Sequence, residues 1–463
     1  MLKKLTCLNL CCWLALLCSS CVTVPDAPKI IQDAQAESSA IEIQANNISV
    51  PDQKAEKIID HIAAKASTDE LLEKHLVIEQ AIADSPLIAG NQVDLVFDGE
   101  QTFNAIYRAI NHAKRNINLE YFIFEDIQFE QTDLKTLLIK KAAQGVQVCV
   151  IYDAFGSVST PPELFEELKQ HGVKIHEFHP LDLEHADKIN QRDHRKILVA
   201  DGKIAIVGGV NLSSTYQSKS SLGMRSKVKA VTDVQQAHWK DTNMVIQGPA
   251  VAEVQKLFVA HWDPEQPIDQ THFYPVIDNK GKELVRVIGS APTKGLPLYY
   301  ATLVSAIQHA EKEIYLSSAY FVPTSDQKKM LVQAAKRGVD VNLLLPGVSD
   351  SAVAMRVQHS HYEDLLENNI HIFESDTEVL HAKTVTIDGV WSVVGSSNFD
   401  YRSAASNQEI DVVILGTDTA TSLKQKFNQD IQKVKRIDLA TFKKRPLLEK
   451  IKEKFYRIFQ QYL

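Results

Sequence analysis

Two stretches decide how this chain folds. They are Asp193-His194-Arg195-Lys196-Ile197-Leu198-Val199-Ala200-Asp201-Gly202-Lys203 and Leu380-His381-Ala382-Lys383-Thr384-Val385-Thr386-Ile387-Asp388-Gly389-Val390. In each, His and Lys stand two residues apart, which on a strand puts both side chains on one face. An Asp-Gly pair follows, and then a second apolar run, Ile204–Val207 or Trp391–Val394. Asp-Gly between apolar runs predicts a hairpin.

The surrounding sequence repeats with these stretches. Ala109-Ile110-Asn111-His112-Ala113 matches Ala306-Ile307-Gln308-His309-Ala310, and Ile117-Asn118-Leu119 matches Ile314-Tyr315-Leu316. Tyr121-Phe122-Ile123 resembles Tyr320-Phe321-Val322, and Val173-Lys174-Ile175-His176 matches Ile370-His371-Ile372-Phe373. Each unit reads helix, strand, helix, strand, helix, strand, hairpin, so the expected class is α/β with two homologous domains. The expected layout is a leader at 1–21, a partly helical spacer at 22–87, domains at 88–265 and 285–435 joined by a linker at 266–284, and a basic amphipathic helix at 436–463.

The chain has 463 residues, 44% of them hydrophobic, enough for large cores. Its net charge of −8, from 50 basic against 58 acidic residues, speaks against a nucleic-acid partner, whose backbone needs a basic surface. Five of the six cysteines lie in the first 21 residues, so no disulfide framework is expected, and Cys149 reads as a buried strand residue. Lys3 and Lys4, an apolar run from Leu5 to Leu17, and Cys18-Ser19-Ser20-Cys21 form a secretory signal pattern. It resembles a bacterial lipoprotein leader with Cys21 as the lipidated residue. Val22 after it fits sorting to the periplasmic face of the outer membrane in a Gram-negative cell envelope.

Small residues follow each hairpin: Gly208-Gly209-Val210-Asn211 and Gly395-Ser396-Ser397-Asn398. They let backbone approach an anion, and an Asn amide can donate to a phosphate oxygen. Taken singly, a His-x-Lys or an Asp-Gly is common. Twice over and in repeat register, the pattern supplies both halves of a phosphoryl-transfer site. One imidazole can attack phosphorus while the other protonates the departing oxygen. Lys196, Lys383, Asn211 and Asn398, with Gly209 and Ser396 beside them, are expected around the phosphate. Asp201 and Asp388 join the catalytic group, although both also suit the turn. Asp241 and Glu409, each just before a strand, are candidates to orient the histidines. With two lysines supplying charge, no cofactor or metal is expected.

These residues resemble the phospholipase D superfamily, and within it the bacterial cardiolipin synthase branch. The resemblance spans about residues 90–435 and is carried by Leu119-Glu120-Tyr121-Phe122, Arg192-Asp193-His194-Arg195-Lys196, Gly208-Gly209-Val210-Asn211-Leu212 and Asp400-Tyr401-Arg402-Ser403. It implies two phospholipase D-like α/β domains with mixed sheets, paired about a pseudo-twofold axis with the active site at their interface. It implies a phosphohistidine intermediate, with His194 favoured as nucleophile and His381 as general acid. It also implies membrane phospholipid substrates such as phosphatidylglycerol at a bilayer surface. No obligatory protein partner is evident. A hydrolase releasing phosphatidic acid is the alternative; a nuclease or a non-catalytic lipid-binding protein ranks lower.

Pro446 is placed to open a final helix, with Leu447, Leu448, Ile451, Phe455, Ile458 and Phe459 on one face. That face is expected either to dock on the catalytic body or to lie on anionic lipid.

Overall fold

A computed structural model describes residues 43–45, 48–49, 57, 75–76, 85–182, 190–217, 234, 237–291 and 298–463. The leader with Cys21, and most of the partly helical spacer expected at 22–87, lie outside these residues.

After short strands β1 (Ile43–Ala45) and β2 (Ile48–Ser49), the first repeat runs through β3 (Leu87–Phe97), α1 (Gly99–His112), β4 (Asn116–Tyr121), α2 (Leu134–Ala143), β5 (Gln147–Asp153), α3 (Pro162–Gln170) and β6 (Lys174–Phe178). It closes with β7 (Lys196–Ala200), β8 (Ile204–Gly208), β9 (Trp239–Lys240), β10 (Thr242–Gln247) and α4 (Val251–His261). The second runs through β11 (Glu283–Ser290), α5 (Leu298–His309), β12 (Glu313–Ser318), α6 (Ser325–Lys336), β13 (Asp340–Pro346), α7 (Ala352–Glu367) and β14 (His371–Ser375). It closes with β15 (Val379–Leu380), β16 (Lys383–Ile387), β17 (Trp391–Gly395), α8 (Tyr401–Ala405), β18 (Glu409–Leu415) and α9 (Thr417–Ile431). Then come β19 (Lys435–Arg436), α10 (Leu439–Lys443) and α11 (Leu447–Tyr456).

The two repeats have one topology. The first sheet is ordered β6-β5-β4-β7-β8-β10-β3, parallel up to β4 and antiparallel beyond it. The second is ordered β14-β13-β12-β16-β17-β18-β11 with the same directions. β3 joins them: Gln92 to Phe97 pair with β10, while Ile88 and Asn91 pair with β11. The strand kinks where it changes sheets, at Gly90, whose φ of 89° an L side chain rarely adopts.

The near-continuous apolar runs of the hairpins reflect burial on both faces. On β7, Leu198 and Ala200 pack with Ile106, Leu119 and Leu138 of the first repeat's core. Ile197 and Val199 face the other way, joining Val207 and Met244 against Val394, Ile410 and Val412 of the second repeat. This shared layer glues the two sheets together. Cys149 is fully buried, as its apolar setting predicts.

Both Asp-Gly pairs adopt left-handed backbone, with φ of 54° and 61° at Asp201 and Gly202 and 55° and 69° at Asp388 and Gly389. That geometry matches the right-handed twist of a hairpin, and Asp and Gly are residues that tolerate it. One sequence match falls out of register. Tyr121 pairs with Lys196 and Ser318 pairs with Lys383, so Tyr121 corresponds to Ser318 and not to Tyr320. The isolated bridges Phe124–Leu212 and Phe321–Phe399 make Phe124 the counterpart of Phe321.

Candidate active site

Each His-x-Lys strand is registered against the opposite repeat by the residues leading into it. The His194 amide donates to the Gln408 carbonyl (2.9 Å) and the Gln408 amide to the Arg192 carbonyl (2.8 Å). Symmetrically, the His381 amide donates to the Lys240 carbonyl (2.7 Å) and the Val379 amide to the His238 carbonyl (3.0 Å), while β15 runs parallel to β9. Glu409 directly follows Gln408, and Asp241 directly follows Lys240. Backbone pairing therefore sets each imidazole beside a carboxylate of the other repeat. His194 Nδ1 lies 3.0 Å from Glu409 Oε2, and His381 Nδ1 lies 2.6 Å from Asp241 Oδ2. A carboxylate at Nδ1 makes that nitrogen the donor, which leaves Nε2 as the unprotonated atom of a neutral ring.

The small residues after each hairpin serve these carboxylates. Gly209 and Ser396, expected at the phosphate, are absent from the cavity wall. A Cβ on Gly209 would sit 2.2 Å from Asp241 Oδ1, so its missing side chain is the space Asp241 occupies. At the equivalent place, the Ser396 hydroxyl donates to Glu409 Oε2 (2.5 Å), pinning the longer acid.

The lysines are buried directly behind the rings. Lys196 Nζ donates to the His194 carbonyl (2.6 Å), and Lys383 Nζ donates to the His381 carbonyl. Lys383 Nζ also lies 2.7 and 3.2 Å from the two ring nitrogens of His381. Asp201 and Asp388, grouped with the catalytic residues on sequence, stand at the far ends of their strands. Asp201 accepts from the amides of Lys114, Arg115 and Asn116, and Asp388 from those of Glu311, Lys312 and Glu313. Each carboxylate thereby fastens the hairpin turn to the loop entering β4 or β12.

His194 and His381 line one cavity of about 300 Å³, together with Asn211 and Asn398. Asn211 Oδ1 accepts from the Ile123 amide (3.2 Å). Asn398 Oδ1 is buried without a partner among the described residues. Phe122, part of the repeated stretch after Tyr121, stands edge-on to His194 at 5.2 Å between ring centroids; other wall residues had no signal in the sequence motifs, namely Trp239 at 5.2 Å from His381, Tyr462 and Leu463. Tyr216, fully buried, places its hydroxyl 3.0 Å from His381 Nδ1.

Burial pushes His194 down to about 4, against the pull of Glu409 and with help from the Lys196 charge. Burial and the neighbouring Lys383 lower His381 too, against Asp241. Burial brings Lys196 down to about 7 despite Glu409. Glu409 stays below its ordinary value, because His194, Lys196 and Ser396 outweigh the burial that would raise it. The site thus holds neutral imidazoles and weakened ammonium groups, all of which a phosphate anion would drive toward protonation.

The repeats differ beneath the rings. Under His194 lies a charged layer in which His261 Nδ1 contacts Glu120 (2.9 Å) and Arg195 Nη1 stands 3.5 Å from Glu120. Arg195 Nε also donates to the Glu409 carbonyl (3.1 Å). Glu120, Asp193 and His261 converge closely enough to hold a metal ion, the one such group among the described residues. The Arg195 cation already sits against it. At the corresponding place the second repeat has apolar packing, Leu380 and Ala382 against Phe427.

A family profile described as "Cardiolipin synthase, PLD-like domain" matches residues 106–262 and 303–431. The cardiolipin synthase of Geobacillus kaustophilus (strain HTA426) is 31% identical over 387 residues, covering 82% of this chain and 74% of that protein. That of Listeria monocytogenes serotype 4a (strain HCC23) is 31% identical over 404 residues, covering 86% and 81%. Among solved structures, phosphatidylserine synthase of Haemophilus influenzae Rd KW20 superposes with a TM-score of 0.63 at 12% identity, covering 85% of this chain and 100% of that one. That superposition bears on the fold alone.

Proposed function

The chain belongs to the cardiolipin synthase-type, phospholipase D-like family and is a phosphatidyltransferase; from that premise we propose that it makes cardiolipin from two molecules of phosphatidylglycerol through a phosphohistidine. The observation that carries the proposal is the crossed pair of imidazole–carboxylate contacts facing one cavity.

His194 is the proposed nucleophile. Its Nδ1 is held by Glu409, while both ring nitrogens of His381 are crowded by Lys383. Nε2 of His194 attacks phosphorus, and the phosphorus–oxygen bond to the headgroup glycerol breaks. That oxygen takes the proton of His381, whose ring draws that proton from solvent once the bound anion raises its basicity, and glycerol leaves. The hydroxyl of a second phosphatidylglycerol then gives its proton to His381 as its oxygen attacks the phosphatidyl group. The phosphorus–nitrogen bond breaks, and His194 recovers its electron pair. Lys196, Lys383, Asn211 and Asn398 stabilise the equatorial oxygens. If water replaces the second lipid, the product is phosphatidic acid.

The division into domains at 88–265 and 285–435, linked through 266–284, belongs to the same proposal and is supported by their shared strand order. The protein is membrane-associated, as its family and lipid substrates imply. Among the described residues no helix is long and apolar enough to cross a membrane. We propose that the 1–21 leader, lipidated at Cys21, anchors the enzyme at the periplasmic face of the outer membrane.

The test uses a phosphatidyl substrate with a p-nitrophenol leaving group, which needs no acid. His381→Ala is expected to release nitrophenol and accumulate a phosphatidyl group that mass spectrometry maps to His194. His194→Ala should release none. Label on His381 reverses the assignment, and no adduct in either variant removes the covalent mechanism.

A further inference from the structure

The last helix turns its apolar face outward. Leu447, Leu448, Ile451, Phe455 and Ile458 are between 55% and 72% exposed, and they fall along one side of α11 and the 3-10 turn Arg457–Tyr462. The opposite side docks on the catalytic body. Arg356 donates to Glu449 (2.9 Å) and stands over the Tyr456 ring, and Tyr456 and Leu463 pack with Val322, Ala354 and Val357. Five aligned large apolar side chains in water mark an interaction surface.

The surface runs into the catalytic cavity. Val322 and Ala354, beneath the helix, also line the cavity, and so do Tyr462 and Leu463. The Arg402 amide donates to the Leu463 carbonyl (3.2 Å), fixing the tail at the wall. A 3-10 turn rises about 2 Å per residue, so Ile458 stands only about 10 Å from Leu463. The loop after β5 adds Phe155, another lining residue, and Val158, three residues on and 69% exposed.

We propose that this face seats the cavity mouth on the surface of an anionic phospholipid bilayer. The charge fits that occupant: Arg436 to Leu463 carry eight Lys and Arg against three acids, in a chain whose net charge is −8. A basic helix with its apolar side out lies in the interface with that side in the acyl boundary. The chemistry fits as well, and here the inference rests on the lipid substrate proposed above. A phosphodiester reaching His194 and His381 while its acyl chains stay in the membrane needs an apolar path between them, and the helix flanks that path.

Hydrogen exchange of the full-length protein tests the docking without turnover, so it stands apart from the proposed reaction. Phosphatidylglycerol vesicles should slow exchange across 447–463, phosphatidylcholine vesicles should do so less, and added salt should weaken the effect. The variant Leu448→Ser/Ile451→Ser/Phe455→Ser should lose that protection. Its turnover on vesicles should fall at least about tenfold relative to turnover on monomeric short-chain phosphatidylglycerol. Protection absent in the wild type, or equal in the variant, overturns the proposal. So does light scattering showing a dimer that the variant dissolves, since a second copy would then be the occupant.

Discussion

His194 and Glu409 lie 215 positions apart in the chain and 3.0 Å apart in the fold, and the same exchange pairs His381 with Asp241 from the other repeat. Neither repeat therefore supplies both the motif histidine and the carboxylate that holds it. The carboxylate fixes the Nδ1–H tautomer and compensates the ring when it becomes charged. Glu409→Gln keeps the shape and removes the charge. It should lower kcat by about 10- to 100-fold with little change in KM. Steady-state turnover beside a thermal melt checks this; an unchanged kcat would show that Glu409 holds the interface and not the ring.

The pH profile follows from the shifted groups. The phosphodiester stays ionised throughout, so the limbs of kcat/KM report the free enzyme. His194 must be unprotonated to attack, and with its value near 4 the rate should fall only as pH drops through about 4. On the alkaline side the general acid His381 loses its proton below its ordinary value, and Lys196, which must be charged to stabilise the equatorial oxygens, adds a further fall as pH rises through about 7. Lys196→Arg keeps its charge at every working pH and should abolish the fall near 7 while leaving the His381 step in place. A fall near 7 that stays put in that variant belongs to another group.

Asp201 and Asp388 are the residues whose place in the repeated motif says least about their work. Asp201 accepts three backbone amides and holds a left-handed φ of 54°. Asp201→Ala loses those bonds and strains the turn, a destabilisation of about 1–3 kcal/mol. The fraction that remains folded should turn over within about twofold of wild type, whereas Lys196→Ala should be inactive. Melting curves and active-site-normalised rates separate the two effects. A collapse of kcat in folded Asp201→Ala would return this residue to the chemistry.

The hairpins are legible in the sequence because Asp-Gly carries its own backbone preference, and the shared topology is legible because β7 and β16 keep the same spacing to their turns. The crossed pairing is not. It depends on parallel bridges such as Asp193–Gln408, which join distant segments and leave no periodicity. The triplet Tyr121-Phe122-Ile123 at the end of β4 misleads by two residues, since Tyr-Phe-aliphatic satisfies a buried strand end in more than one register. Tyr462 and Leu463 enter the cavity wall only when the tail folds back. The charged layer of Glu120, Asp193, Arg195 and His261 draws on four separate positions, none of them matched in the second repeat.

That layer has its own pH signature. Burial raises Glu120 to about 7, and the Arg195 charge only partly opposes it. Between its unfolded value of 4.5 and about 7, the folded protein binds a proton that the unfolded chain has released. The associated stability is fully present below 4.5 and is lost as pH rises through about 7, an effect of about 3 kcal/mol at full extent. Glu120→Gln cannot titrate and still offers an oxygen to His261 and Arg195. Chemical denaturation at pH 4.5 and pH 8 should show wild type losing more stability than the variant over that interval. Parallel losses would mean that Glu120 is ionised throughout, neutralised by Arg195 alone.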